Sequence, residues 1–164
     1  MFNKSEILSL IVPYAKLLHK KYNLLPSVTI SQAILESDWL RHRTGNNIFN
    51  LTWHKGSDFD YEIVITHEWF DGVKSPTVYR IKKYQSYKES FCDYASIITT
   101  TKRYIPFVNA ATYKEACLEL NKCGYCTDPE YPKNLISIIE ENRLFEYDSK
   151  DDLLIDEEMI CTDC

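Results

Sequence analysis

The feature that most constrains the fold of this chain is a change of hydrophobic period near its middle. Before residue 46 and after residue 84, apolar residues recur with the spacing of amphipathic helices. Between these limits the residues alternate in character, as they do along half-buried strands, and the pair Asp71-Gly72 is typical of a hairpin turn. The sequence therefore predicts an α+β fold that is mostly helical, with one small antiparallel β-lobe at about 46–84.

Capping signals divide the helical regions into five predicted helices. A Ser or Thr followed three residues later by Glu can satisfy two free backbone N–H groups at a helix start. Pro is tolerated at the first helical position, where its missing N–H costs nothing. The predicted helices run from Ser5 to about Lys21, from Thr29 to Leu40 after a break at Pro26 and Ser27, from Ser86 to Thr100, from Thr112 to Asn121, and from Asp128 and Pro129 to Asn142.

Length and charge indicate one domain with an acidic end. The 164 residues are 45% hydrophobic, which is enough for a sizeable core, and we place the domain at 1–147 and an acidic tail at 148–164. The net charge is −5; residues 146–164 carry −7, so residues 1–145 carry +2. A weakly basic body suits an anionic polymer, but the bias is far too small to indicate nucleic acid.

No segment indicates a membrane partner or a leader. No apolar run approaches the roughly 18 residues of a membrane span. The apolar stretch near the N-terminus contains Pro13 and is followed by no small-residue cleavage site. We therefore expect a monomer that is made in the cytoplasm without a signal peptide.

Glu36 is the first candidate for chemistry because it closes an apolar helical stretch, Ala33–Ser37. Apolar neighbours desolvate a carboxyl and raise its pKa, so that it can hold a proton near neutral pH and give it to a leaving oxygen. Glycoside hydrolysis needs such an acid. Spacing alone favours a plainer interpretation, a helix-end glutamate that lies in water or pairs with Arg41.

Glycoside hydrolysis also needs a second carboxylate across the cleft. The β-lobe offers Glu62 and Glu68, with Asp58, Asp60 and Asp71 as weaker candidates. Solvent-facing strand positions would explain any of them, and spacing does not choose between them.

Five local motifs occur in the order found in one enzyme family. Together they make the chain resemble the glucosaminidase family of peptidoglycan hydrolases (glycoside hydrolase family 73), which includes the flagellar rod hydrolase and many autolysins, over about residues 12–144. The matches are Ser31–Trp39 with the signature QAILESGW, Asn46–Phe49 with NNLFG, Thr66–Trp69 with T-x-E-aromatic, Tyr84–Tyr94 with Y-x-S-x-x-E-S…D-[HY], and Gly124–Tyr131 with GYATDPxY.

The resemblance implies a lysozyme-like fold whose small β-lobe faces the helices across a substrate cleft. It implies that Glu36 is the general acid, that Glu68 rather than Glu62 is the second carboxylate, and that Tyr125 is a third catalytic residue. The family cuts the β-1,4 bond between N-acetylglucosamine and N-acetylmuramic acid in the peptidoglycan glycan strand, without a metal or other cofactor. The residues expected to bind substrate are Trp39, Asn47, Phe49, Asp128 and Tyr131.

The chain departs from the family pattern beside the proposed acid. Asp38 and Leu40 stand where the family usually has glycine, and Asn50 replaces the glycine after Phe49. The stretch between Trp39 and Asn46 is also shorter than usual. These changes predict an altered substrate preference and remove no proposed catalytic group.

Other functions remain open beside endo-β-N-acetylglucosaminidase activity. A lysozyme-type muramidase or a lytic transglycosylase shares the helical glutamate, but the β-lobe motif and the last motif fit these enzymes less well. A wall-binding module without turnover would need neither Glu36 nor Glu68. A single catalytic domain without a leader or wall-binding repeats suits a phage or prophage lysin, and the displacement mechanism stays open.

The cysteines and histidines show no strong metal pattern. Cys92 and Cys117 are predicted core residues because they fall in apolar helical patterns. Two CxxC pairs, at 123–126 and 161–164, are separated by 34 residues, well beyond the usual zinc-ribbon spacing. Free thiols are therefore favoured over structural zinc, with disulfides as a further outcome after export. The four histidines without metal spacing are His19, His42, His54 and His67.

Overall fold

The computed structural model describes residues 3–70 and 73–149, and within the hairpin it describes the side chains of residues 61–65 and 75–82. Helices dominate the described chain, and one two-stranded antiparallel sheet interrupts them, which confirms the predicted α+β class. None of the described helices is long and apolar enough to span a membrane. The elements are α1 (Lys4–Tyr22), α2 (Pro26–Ser37), β1 (Tyr61–Phe70), β2 (Val73–Lys82), α3 (Tyr87–Thr100), α4 (Ile105–Val108), α5 (Tyr113–Lys122) and α6 (Tyr131–Glu141), with 3-10 turns at Lys102–Tyr104 and Leu144–Asp148.

Three predicted helix starts were wrong. Helix α1 is capped by Asn3, whose side chain accepts from the Glu6 N–H at 2.9 Å while the Glu6 carboxylate accepts from the Asn3 N–H, so Ser5 lies inside the helix. Helix α2 begins at Pro26, because a proline in the first turn starts a helix rather than breaking it. For the same reason α6 begins at Tyr131 with Pro132 in its first turn, two residues after the predicted Pro129.

Helix α2 is the centre of the fold. Every residue from Pro26 to Ile34 is buried, and α1, α6 and the 3-10 turn at Leu144–Asp148 pack around it. A helix that is apolar or satisfied on all sides belongs inside a domain. The C-terminal end of α2, which carries Glu36, is therefore held by its neighbours on several sides.

Left-handed backbone follows α2 at the positions where the chain departs from the family glycines. Asp38, Trp39 and Leu40 have φ of 45°, 57° and 60°, and Asn50 has φ of 52°. This conformation costs an L-residue about 1–2 kcal/mol, less for Asp and Asn. It ends α2 at Ser37 rather than at the predicted Leu40. The family's glycines thus correspond to backbone positions where a side chain is strained.

A third extended segment joins the hairpin to the helical body. The two strands pair in register from Tyr61 opposite Lys82 to Phe70 opposite Val73. On the other edge of β2, the Trp53 N–H donates to the Arg80 carbonyl at 2.8 Å and the Lys82 N–H donates to the Leu51 carbonyl at 3.0 Å. The predicted turn at Asp71-Gly72 lies outside the described residues.

A buried ion pair fastens the base of the lobe to α3. Lys82 Nζ lies 2.7 Å from Asp93 Oδ2, and the Tyr84 hydroxyl donates to the same oxygen at 2.5 Å. Burial and the adjacent carboxylate both raise the pKa of Tyr84, which keeps its proton for this bond. Breaking a buried pair by removing one partner usually costs several kcal/mol. The motif residues Tyr84 and Asp93 therefore serve attachment of the lobe.

The end of the domain and one of the cysteines differ in detail from expectation. Asp148, predicted as the first tail residue, accepts from the Ser27 N–H at 2.8 Å and from the Ser27 hydroxyl at 2.6 Å. Cys117 is buried in the core as predicted, but Cys92 is half-buried and disulfide-bonded, so its prediction as a core residue was wrong. Cys123 and Cys126 are free, and the second CxxC pair lies outside the described residues.

Candidate active site

Glu36 lines a cleft of about 450 Å³ between the helical body and the base of the β-lobe. Helix α2 supplies the carboxyl, and the segment Asn50–Thr52 with Lys82 supplies the side towards the lobe. Tyr125 and Arg103 come from the loops that follow α5 and α3. The cleft therefore collects parts of the chain that are far apart in sequence around one carboxyl.

Burial dominates the electrostatics of Glu36. Desolvation raises the pKa of its carboxyl, and a hydrogen bond from the Tyr131 hydroxyl partly opposes that rise. Arg41 pairs instead with Asp38 at 2.6 Å, on the exposed side of the loop. The plainer interpretation, a glutamate that lies in water or pairs with Arg41, was therefore wrong.

A chain of hydrogen bonds leads from the core to Glu36. The Tyr131 hydroxyl, whose pKa is raised by burial, keeps its proton and donates it to Glu36 Oε1 at 2.8 Å. The Tyr131 oxygen then accepts from Gln32 Nε2 at 3.3 Å, which turns Gln32 Oε1 towards the Tyr94 hydroxyl at 2.5 Å. Gln32 and Tyr94 are fully buried, so solvent offers no competing partner. Every hydrogen bond in this chain is therefore donated in the direction of Glu36.

The direction of these bonds also places the acid proton. Oε1 of Glu36 already accepts from Tyr131. Oε2 of Glu36 makes no hydrogen bond to the described part of the chain, and the Glu36 side chain lines the cleft. When Glu36 is neutral, its proton is therefore best placed on Oε2, where a bound substrate can receive it.

Aromatic rings support both sides of this chain. Phe49 is buried and stacks on Tyr94, with ring centres 4.2 Å apart, and it is one of the residues that line the cleft. Tyr125 stacks on Tyr131 at 6.0 Å and meets the edges of Tyr94 and Tyr104. Burial raises the pKa of Tyr125 well above its usual value, so its hydroxyl is neutral. The structure thus brings Glu36, Phe49, Tyr125 and Tyr131 together.

Four of the five residues predicted to bind substrate lie outside the lining of this cleft: Tyr131, which contacts Glu36 from behind, and Trp39, Asn47 and Asp128. Trp39 is half-buried beneath Lys4, whose Nζ lies 4.6 Å from the ring centre. The buried Asn47 amide bonds to the backbone of Leu51 and Lys82. The Asp128 carbonyl accepts from the Tyr131 N–H at 3.1 Å, so Asp128 helps to place the start of α6.

Both main candidates predicted for the second carboxylate, Glu62 and Glu68, lie in β1. The backbone of Glu68 lies in β1 opposite Ser75, and its side chain lies outside what the structure describes. Glu62 is half-buried, and its Oε1 lies 3.9 Å from the position that a β-carbon would take on Gly45. Glu62 is not among the residues that line the cleft. In the described residues no group of three His, Cys, Asp or Glu side chains is arranged to hold a metal ion.

Comparison with known proteins identifies the family. A family model described as mannosyl-glycoprotein endo-beta-N-acetylglucosaminidase, the glucosaminidase family, matches residues 12–144. The chain belongs to the glucosaminidase family of glycoside hydrolases. The match includes Glu36 and every other residue of the hydrogen-bonded chain.

Relatives of this glucosaminidase differ in the activity in their names. The exo-glucosaminidase LytG of Bacillus subtilis is 36% identical over 82% of this chain and 50% of its own length. A protein of Lactococcus lactis named a probable N-acetylmuramidase is 33% identical over 89% of this chain and 36% of its own. The catalytic domain of the autolysin Auto from Listeria monocytogenes is 31% identical, with 90% of each chain covered and a TM-score of 0.74. The chain thus spans about half of the length of LytG and about a third of that of the Lactococcus lactis protein.

Sequence reasoning missed several residues that shape the glucosaminidase site. Gln32 stands four residues before Glu36, so both lie on one face of α2, and this spacing was a usable signal. Tyr94 lies in a matched motif, but its bond to Gln32 was not predictable because the two residues are 62 positions apart. Arg103 and Tyr104 lie in a 3-10 turn that was not predicted.

Tyr131→Phe should move the alkaline limb of the activity profile to higher pH. A general acid at Glu36 must be protonated to act, so we expect activity to fall as pH rises through the raised pKa of that carboxyl. The Tyr131 bond lowers this pKa, and its loss should raise the pKa further. The measurement is kcat/KM for solubilised glycan strands against pH. Tyr125→Phe is the matched control. We expect it to lower turnover without moving the alkaline limb of the pH profile. An equal shift of that limb in both variants would contradict a specific role for Tyr131.

Proposed function

We propose that this glucosaminidase is a peptidoglycan hydrolase that cleaves the β-1,4 bond between N-acetylglucosamine and N-acetylmuramic acid inside glycan strands. One observation carries the proposal. A carboxyl whose pKa is raised by burial lines an open cleft, and a directed hydrogen bond leaves one of its oxygens for the substrate. A pure binding module has no use for a partly buried acid, which costs folding free energy when it ionises.

In the proposed reaction Glu36 acts as the general acid. Its Oε2 proton passes to the glycosidic oxygen as the bond to the anomeric carbon breaks, and positive charge develops on the sugar ring. Tyr131 then stabilises the carboxylate that forms, because it already donates to Oε1. The bond that raises acidity before the step thus supports the charge after it.

We infer that Glu68 supplies the second carboxylate. The support is the match of Thr66–Trp69 to the family motif and the place of position 68 on the hairpin whose base borders the cleft. A carboxylate there would stabilise the developing cation or activate a water molecule. The separation of the two carboxyls determines whether hydrolysis retains or inverts the configuration of the anomeric carbon. A structure of an inactive variant bound to a glycan fragment would measure that separation.

The remaining predicted site residues form two groups, those that line the cleft and those that lie outside it. We propose that Tyr125 and Phe49 form the wall against which a sugar packs, since both line the cleft. Trp39, Asn47 and Asp128 are proposed to support substrate binding indirectly, through the loop after α2, the loop before the lobe and the start of α6. Tyr131 acts through its bond to Glu36.

The bond that is cut is decided by the products. Walls are digested, reduced with borohydride and examined by mass spectrometry, which tags the sugar at the new reducing end. We expect reduced N-acetylglucosamine on fragments of several lengths, because the matching family model describes an endo-acting enzyme. Release of disaccharides alone would indicate exo cleavage, the activity in the name of LytG. Reduced N-acetylmuramic acid would indicate a muramidase, the activity in the name of the Lactococcus relative, and an anhydro-muramyl product would indicate a transglycosylase.

A further inference from the structure

A second cavity continues the catalytic cleft onto the β-lobe. It measures about 470 Å³ and lies between the segment Thr52–His54 and the segment Val78–Arg80 of β2; we call it the lobe groove. Thr52 and His54 line both the lobe groove and the catalytic cleft. A polymer bound beside Glu36 can therefore extend into the lobe groove without leaving the surface.

Arg80 is held in the lobe groove by two aromatic rings. Its guanidinium carbon lies 5.6 Å from the ring centre of Trp53 and 5.2 Å from that of Tyr61. These rings contact each other at 4.7 Å, and the Trp53 indole N–H donates to the Phe59 carbonyl at 2.8 Å, which fixes the indole. Stacking occupies the face of a guanidinium and leaves its N–H edge for a planar anion.

Positive charge exceeds negative charge around the joined cavities. Arg80 in the lobe groove and Arg103 in the cleft form no ion pair with any carboxylate of the described chain, whereas Lys82 is neutralised by Asp93. Arg103 also lies over a ring, that of Tyr104, at 4.7 Å. Glu36 is the one carboxyl among the described lining residues. The lining is thus electropositive in a chain of net charge −5, which favours an anionic ligand.

We propose that the lobe groove binds the carboxylates of the peptide stems of peptidoglycan, with Arg80 as the contact residue. This inference rests on the proposed function, because it takes the glycan strand to be the ligand of the adjoining cleft. Neutral polymers of N-acetylglucosamine carry no carboxylate, whereas stems carry them at intervals along the strand. Arg80 then selects stem-bearing glycan and adds nothing to the chemical step.

The test measures wall binding by protein that does not turn over. Glu36→Gln and the double variant Glu36→Gln/Arg80→Gln are sedimented with purified walls, and the dissociation constants are compared. We expect the Arg80 change to weaken binding about three- to tenfold, the effect of losing one hydrogen bond of typical net strength at an exposed site. On walls whose carboxyls have been amidated with carbodiimide and ammonia, the two proteins should bind equally.

Two matched variants keep the result specific. Lys83→Gln removes the same charge from an exposed position outside both cavities and should leave binding to intact walls unchanged. Arg80→Lys keeps the charge without the planar fork and should fall between parent and Arg80→Gln. Circular dichroism verifies that each variant is folded.

The outcomes separate this inference from the proposed function. An equal Arg80 effect on intact and amidated walls, or an equal effect of Lys83→Gln, would overturn carboxylate recognition. An Arg80 effect that persists on walls stripped of stems by an amidase would move the contact to the lactyl carboxylate of the sugar and overturn the stem assignment. Failure of every variant to bind walls would instead refute the proposed function.

Discussion

Glu36→Gln is expected to reduce wall hydrolysis by about 10²- to 10⁴-fold, the usual contribution of general acid catalysis. Glutamine keeps the shape of the side chain and can still accept from the Tyr131 hydroxyl at its amide oxygen. It has no proton of suitable acidity for the glycosidic oxygen. The loss should therefore appear in kcat, with little change in wall binding, when turbidity clearance and sedimentation are measured on the same protein.

The same substitution should change stability with a defined sign. Burial raises the pKa of Glu36 above its unfolded value, so the protonated group favours the folded state below the unfolded pKa. That contribution is lost as pH rises through the folded pKa, where the buried carboxyl ionises. Glutamine has no such transition, so melting temperatures of the variant should improve relative to the parent as pH rises.

A variant that keeps more than about a tenth of the activity would show that Glu36 is not the acid.

Local chemistry predicted most of the fold because most helix signals are local. Ser86 and Thr112 each accept from the backbone N–H three residues on, as their sequences predict. The 3-10 turn at Lys102–Tyr104 and helix α4, which carries Pro106 in its first turn, were missed because both are too short for an amphipathic repeat. This short region brings Arg103 and Tyr104 to the cleft, so the error concealed part of the site.

The site was predictable only as far as its motifs. The first and last motifs meet where Tyr131 donates to Glu36, across 95 residues of sequence. The motif residues Asn47 and Asp93 turned out to hold loops and the lobe, because their polar atoms are used by backbone groups and by Lys82. Sequence patterns report that a residue matters, whereas burial and partners decide whether it contacts substrate or supports a residue that does.

Glu68→Gln should also be severe, with an expected loss of about a hundredfold or more, and Glu62→Gln should stay within about twofold of the parent. Positions 62 and 68 have the same phase in the two-residue repeat of a strand. They lie six residues apart, which is about 20 Å along a strand. One cleft cannot place both carboxylates beside the same anomeric carbon. The two variants therefore form a matched pair, with the same chemical change on the same strand.

Their comparison also distinguishes the roles open to the second carboxylate. If Glu68 activates water or stabilises the cation, the loss should fall on kcat, with wall binding intact. Azide added to Glu68→Ala then reports the displacement route, because a small anion can take the vacated space and yield a glycosyl azide whose anomeric configuration is read by NMR. The reverse ranking, with Glu62→Gln the more damaging, would move the second carboxylate to the base of the hairpin. Glu62 is half-buried there, beside Gly45. Near-parental activity in both variants would leave Glu36 as the one essential carboxyl and favour the acetamido group of the substrate as the internal nucleophile.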